Sequence, residues 1–144
     1  MAKELDVSAS LAGGMRFDVE TGSGYELRLD MAAGEGGEGA GPQPMEMLLV
    51  GLAGCAGMST LLILRKRKQD VRDYALRIHG KRAEVHPQVF TEITVEHVIT
   101  GKGMKPEVVE RALLMTEEKY CGASVMLEKT AHISHTYRIV EVAD

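Results

Sequence analysis

A mixed fold of strands and helices in a single domain is predicted from three observations. Residues 3–31 alternate apolar and polar in short runs cut by Gly13-Gly14 and Gly22-Ser23-Gly24. Met47 to Leu64 then runs for 18 residues without a charge. Beyond it, Val71–Ile78 and Val89–Ile99 alternate again. Alternation at period two marks half-buried strands, and a long apolar run behind a proline marks a helix. A chain of 144 residues with 44% hydrophobic content suffices for one modest core. With no Trp, 4% aromatic residues and 9 Met, that core is aliphatic and thioether in character.

The glycine pairs at the start read as two turns joining three strands in a small antiparallel meander over residues 1–31. Residues 32–43 hold five glycines and little to bury, which predicts a mobile loop able to cover or line a site. Pro44 suits the first helical position and Glu46 places negative charge near the positive end of the helix dipole, so a long helix is expected over 44–69. Its uncharged stretch, closed by Arg65-Lys66-Arg67-Lys68, satisfies the length rule for a membrane span. Gly51, Gly54, Gly57, Ser59 and Thr60 lower its hydrophobicity, and strand-rich sequence lies on both sides, so it is read as a core helix instead. Glycines at every third position leave a groove for close backbone approach. A helix apolar all round in so small a domain implies that a partner subunit covers part of it.

Residues 70–144 complete the domain. The alternating runs form a long hairpin through Glu84-Val85-His86-Pro87-Gln88. Lys105-Pro106-Glu107 opens a second helix, carried by Val108, Val109, Ala112, Leu113 and Met115 to about Tyr120. Gly122–Leu127 reads as a short further helix and Ala131–Val142 as the closing strand.

Seventeen basic against 21 acidic residues give a net charge of −4, with the cations dispersed, which argues against nucleic acid as a partner. No charged leader with an apolar core and a cleavage site is recognised, and two cysteines are too few for a secreted disulfide scaffold, so a reducing cytoplasm is expected.

Those two cysteines, Cys55 and Cys121, are the best lead to function. A thiol within an apolar helix is shielded from casual oxidants yet can meet one small apolar substrate, and a second thiol can resolve the oxidised first. The alternative is two inert buried thiols, since free Cys is among the most buried residue types. Cys121 falls near the N-cap of the short helix, where unpaired backbone N–H groups favour a thiolate and lower its pKa. The histidines offer little competing chemistry. His132 and His135 lie three apart on a strand, point to opposite faces and do not converge on one metal, so they are read as surface or subunit-contact residues. His79, His86 and His97 are read as ordinary strand and turn positions. A zinc site of Cys55, Cys121 and a histidine has no close ligand spacing behind it, so no metal and no cofactor are expected.

The run Gly41-Pro42-Gln43-Pro44-Met45-Glu46-Met47-Leu48-Leu49, followed by Leu52-Ala53-Gly54-Cys55-Ala56-Gly57-Met58, resembles the OsmC/Ohr superfamily of thiol-dependent hydroperoxide reductases. The basic stretch after the helix, the hairpin and Glu118-Lys119-Tyr120-Cys121 extend the resemblance over essentially the whole chain. It implies an α+β fold and an intertwined homodimer, with antiparallel sheets around two long central helices and the N-terminal strands of each chain joining the sheet of the other. It also implies that Cys55 attacks an organic hydroperoxide and that Cys121 captures the resulting sulfenic acid as a disulfide, later reduced by a dithiol.

One departure bears on activity. The active peroxidases carry a glutamate directly after the helix-opening proline, holding an arginine from an N-terminal strand over the reactive sulfur; here Met45 stands in that place and Glu46 follows. One residue along a helix is about 100° of rotation at roughly 3.6 residues per turn, so Glu46 does not point where residue 45 points. Arg16 is the candidate strand arginine and Arg28 the second. The site residues expected are therefore Cys55, Cys121, Arg16 and Glu46. Two functions follow: a cytoplasmic dimeric peroxidase acting on organic hydroperoxides, or a non-enzymatic thiol protein using the same apolar cleft to bind a small ligand or to sense oxidation.

Overall fold

The computed structural model describes residues 3–143. The chain forms two compact units, Met1–Leu48 and Leu49–Asp144. In the first, strands β1 (Val7–Gly13), β2 (Arg16–Thr21) and β3 (Glu26–Leu29) make an antiparallel sheet in the order β1-β2-β3, as the glycine turns predict. The pairings Leu11↔Phe17, Ala9↔Val19, Phe17↔Leu29 and Val19↔Leu27 put these apolar side chains on one face. Much of that face is open, with Val7 71% and Leu11 63% exposed.

The glycine-rich segment after β3 is not the mobile loop its composition suggests. Asp30, buried at its start, collects it: one carboxylate oxygen accepts the Met31 N–H at 2.8 Å, and the other accepts those of Glu38 and Ala40 at 3.1 and 3.0 Å. These N–H groups hold the Asp30 carboxyl below its ordinary range. Gly37 and Gly41 let backbone pass where a side chain cannot, since a Cβ would lie 2.1 Å from the Met31 carbonyl oxygen and 2.3 Å from that of Arg28.

Helix α1 (Pro44–Lys66) begins at the predicted proline. The Glu46 carboxylate reaches back to accept the Gln43 N–H at 2.9 Å, the return arm of a capping box. The helix ends in a Schellman arrangement, with Gln69 N–H on the Leu64 carbonyl and Lys68 N–H on that of Arg65. Lys68 sits there in the left-handed region, with φ 58°. A side chain pays about 1 kcal/mol in that conformation, so Lys68→Gly is expected to stabilise the chain by up to about 1 kcal/mol in urea unfolding.

Within the second unit, β4 (Asp70–Arg82) and β5 (Phe90–Lys102) form the expected hairpin. The strand β6 (His132–Glu141) corrects the expectation of purely antiparallel sheets: it runs parallel to β5, with Ile93↔Ile133 and Ile99↔Ile139 paired. The reason is the connection. Helix α2 (Pro106–Met115), a π-helical turn (Thr116–Tyr120) and helix α3 (Gly122–Leu127) carry the chain back to the starting end of β5, the crossover that a parallel pair requires. The core gathers Leu64, Ile99, Met104, Val109, Ala112 and Leu113 from α1, the β5 end and α2. Leu52, Ala56, Thr60 and Leu64 form the buried stripe of α1, and Gly57 lets it lie close over Leu76 of β4.

Candidate active site

Cys55 lies beside the buried stripe of α1, half-buried, on a second row formed with Gly51, Met58 and Leu62. That row is apolar and open: Met58 is 75% exposed and Leu62 56%. Over its most apolar stretch α1 has a mean hydropathy of 2.1 with only 22% of residues buried.

Cys121 is fully buried and caps α3, its Sγ accepting the Ser124 N–H at 3.3 Å. The cap position is as the sequence predicts; its electrostatic consequence is the reverse. Burial pushes the Cys121 thiol up to about 11, the neighbouring Cys55 thiol pushes in the same direction, and the Ser124 and Ala123 N–H groups offset only part of this. Cys121 therefore keeps its proton at neutral pH. The two thiols, 66 residues apart in the chain, are close enough for Cys55 to act on the Cys121 thiol, and both are free.

What brings Cys121 to Cys55 is the π turn. The Thr116 hydroxyl donates back to the Ala112 carbonyl at 2.9 Å, a local bond that competes with regular helix geometry. The Cys121 N–H then closes on the Thr116 carbonyl at 2.8 Å, five residues back. Two bonds pin this turn to α1: Thr60 to Thr116 between hydroxyls at 2.9 Å, and the Ser59 hydroxyl to the Tyr120 carbonyl at 3.3 Å. Ser59 and Thr60 lie four and five residues beyond Cys55, so the helix bearing one thiol holds the turn bearing the other.

Behind this contact runs a buried polar chain that sequence reasoning missed. Thr60 neighbours Tyr74; the Tyr74 hydroxyl lies 2.5 Å from His97 Nδ1; and His97 Nε2 lies 2.9 Å from His135 Nδ1. The two imidazoles stack with centroids 5.2 Å apart. His97 is fully buried, not an ordinary strand position, and His135 faces it instead of standing at the surface. Desolvation, and then the neighbouring His135, lower His97 to about 4, while burial raises Tyr74 to about 12. No sequence signal marks this pair, because it depends on the parallel register of β6 against β5.

The candidate arginines lie in the first unit. Arg16 pairs with Glu38 of the glycine-rich segment at 2.9 Å, and Arg28 is held by both carboxylate oxygens of Asp18 at 2.7 and 3.3 Å. Glu46, engaged at the Gln43 N–H, takes no part in holding Arg16. No cluster of three or more His, Cys, Asp or Glu side chains suited to a metal occurs among the described residues.

Residues 36–136 match the family model described as OsmC-like protein. The chain belongs to the OsmC family. Protein YhfA of Escherichia coli strain K12 is 38% identical over 127 residues, which cover 88% of this chain and 92% of that protein. Among solved structures, a hypothetical protein from Aquifex aeolicus VF5 superposes with a TM-score of 0.86 at 27% identity, covering 99% of this chain and all of that one. The organic hydroperoxide resistance protein OhrB of Bacillus subtilis shares the fold at a TM-score of 0.66 and 18% identity, with 94% of this chain and 98% of that one covered.

Proposed function

We propose that this OsmC-family chain is a thiol-dependent peroxidase that reduces organic hydroperoxides in the cytoplasm. The observation that carries the reading is the pair of neighbouring free thiols, the more accessible of which lies in an apolar row of α1. The kinship of fold with proteins named for organic hydroperoxide resistance supports it.

The accessibility divides the roles. Cys55 meets substrate; Cys121, fully buried and holding its proton, stands beside it. The Cys55 thiolate attacks the distal peroxide oxygen, the O–O bond breaks, and the alkoxide leaves as the alcohol once protonated. Cys55 is then a sulfenic acid. Attack by the Cys121 sulfur expels its hydroxyl as water and forms the disulfide, and an external dithiol restores both thiols by exchange while becoming oxidised itself. Apolar walls favour an alkyl hydroperoxide over hydrogen peroxide. Arg16, the strand arginine to which the resemblance assigns activation, is held by Glu38 of the glycine-rich segment.

The working unit is a homodimer. The open apolar row of α1 and the exposed face of the first sheet are surfaces of the kind a second copy covers. Steady-state turnover with excess dithiol tests the function. Cumene hydroperoxide should be consumed with kcat/KM at least about tenfold above that for hydrogen peroxide. Absence of turnover by fully reduced protein would leave ligand binding or oxidation sensing as the better account.

A further inference from the structure

The hydroxyls of Thr60 and Thr116 meet where α1 touches the π turn out of reach of water, both residues being fully buried. Counting hydrogens fixes the direction of their bond. A hydroxyl carries one hydrogen, and that of Thr116 goes to the Ala112 carbonyl, so Thr60 donates to Thr116. The same carbonyl accepts the Thr116 N–H, which ties Thr116 to one acceptor through both backbone and side chain. A β-branched side chain has few rotamers, and this one is bonded both to the preceding helical turn and to α1.

The lengths of chain on the two sides match. Thr60 follows Cys55 by five residues, and Cys121 follows Thr116 by five. The hydroxyl contact lies at one end of these segments and the thiol contact at the other. On the Thr116 side the five residues are wound as a π turn, with the Cys121 N–H on the Thr116 carbonyl where a regular helix would use that of Glu117. Rewinding the turn as α-helix moves Cys121 by one residue step, about 100° of rotation and roughly 1.5 Å of rise. A disulfide tolerates no such displacement, because its Cβ atoms must stand about 3.5–4.5 Å apart. Water can replace the Ser59–Tyr120 bond on the exposed side, but it does not reach the threonine pair.

We propose that Thr60 and Thr116 are positioning residues for Cys121: their paired hydroxyls hold the chain in the π turn and thereby set how readily Cys121 joins Cys55 in a disulfide. The inference deepens the peroxidase reading and rests on it for the use made of that disulfide. The placement itself does not require turnover.

The test is therefore an equilibrium in glutathione buffers, without hydroperoxide. Each oxidised glutathione takes two electrons from the thiol pair and leaves as two glutathione thiols, and alkylation with mass spectrometry reads the fraction of full-length protein carrying the Cys55–Cys121 disulfide. Thr60→Val/Thr116→Val keeps the side-chain shapes and removes both partners of the buried bond together, so the urea midpoint of the reduced protein should stay close to the parent's. Its disulfide equilibrium constant should nevertheless fall about tenfold, or about 30 mV for a two-electron couple. Thr60→Ser/Thr116→Ser, which keeps both hydroxyls, should restore it to within about threefold of the parent. Thr60→Val alone leaves the Thr116–Ala112 bond and should lower the constant about threefold, which carries the test if the double Val variant does not fold. An unchanged constant in the folded Val variants, an equal loss in the Ser variant, or no Cys55–Cys121 disulfide in the parent overturns the proposal. The expected shifts in protein that consumes no hydroperoxide uphold it and overturn the peroxidase reading.

Discussion

Cys55→Ser protein is expected to consume organic hydroperoxide no faster than buffer containing the same dithiol, whereas Cys121→Ser protein should consume one equivalent promptly and turn over slowly thereafter. The asymmetry follows from the geometry. Removing Cys55 removes the thiol in the open apolar row, and the one that remains is fully buried, protonated at neutral pH and held by the Ser124 N–H. Removing Cys121 leaves the reacting sulfur in place but deprives its sulfenic acid of the neighbour that traps it. External dithiol must then reduce the sulfenic acid directly, and with excess hydroperoxide a growing share of Cys55 should pass to sulfinic acid. Mass spectrometry of the Cys121→Ser protein after several turnovers should find that adduct at Cys55. Equal activity of the two variants would contradict the assignment of roles.

Acidification should destabilise the fold well above the pH at which its carboxylates protonate. His97 is held neutral, its pKa lowered from the ordinary 6.5 to about 4, and His135 shifts in the same direction. A group whose folded pKa is depressed contributes its full stability above the unfolded value and loses it as pH falls toward the folded one. The loss therefore falls between about pH 6.5 and 4, and for His97 it amounts to about 3 kcal/mol at 1.36 kcal/mol per unit. The groups around the pair offer little relief. Tyr74 of β4 and Thr60 of α1 are neutral, and the charge acting on the pair among the described residues, Glu117 of the π turn, favours protonation of His135 without outweighing its burial. Asp18, Asp30 and Asp70, all held below their ordinary range by arginines or backbone N–H groups, lose their contributions only below about pH 4. Urea midpoints should thus be level from pH 8 to 7 and decline steadily from 6.5 to 4. His97→Gln, which keeps hydrogen-bonding capacity without titrating, should flatten that decline by about one proton. A variant with the parent's slope would show that other groups carry it.

The reach of the sequence can be judged at particular residues. Pro44, the glycine pairs and the two alternating runs act locally, through φ restriction, turn geometry and side-chain period, so α1, the meander and the hairpin are legible before any tertiary contact is known. The N-cap place of Cys121 is equally local. Its protonation is not, because burial by elements far away in sequence outweighs two backbone N–H groups. The π turn hides within a plausible helical pattern and depends on one hydroxyl at Thr116 and its partner on α1. Five glycines suggest mobility, yet the single carboxylate of Asp30 gathers three N–H groups and orders the segment. His97 and His135 meet only because the crossover makes β6 parallel to β5, a consequence of chain path that no residue spacing encodes.

A single-turnover experiment tests the central claim most directly. Fully reduced protein is mixed with one equivalent of cumene hydroperoxide, quenched with a thiol alkylating reagent and mapped by mass spectrometry without added reductant. The account predicts one equivalent of alcohol formed, both thiols lost to alkylation, and an intramolecular Cys55–Cys121 disulfide joining the two peptides. Both cysteines recovered in alkylated form, with the hydroperoxide unconsumed, would contradict it.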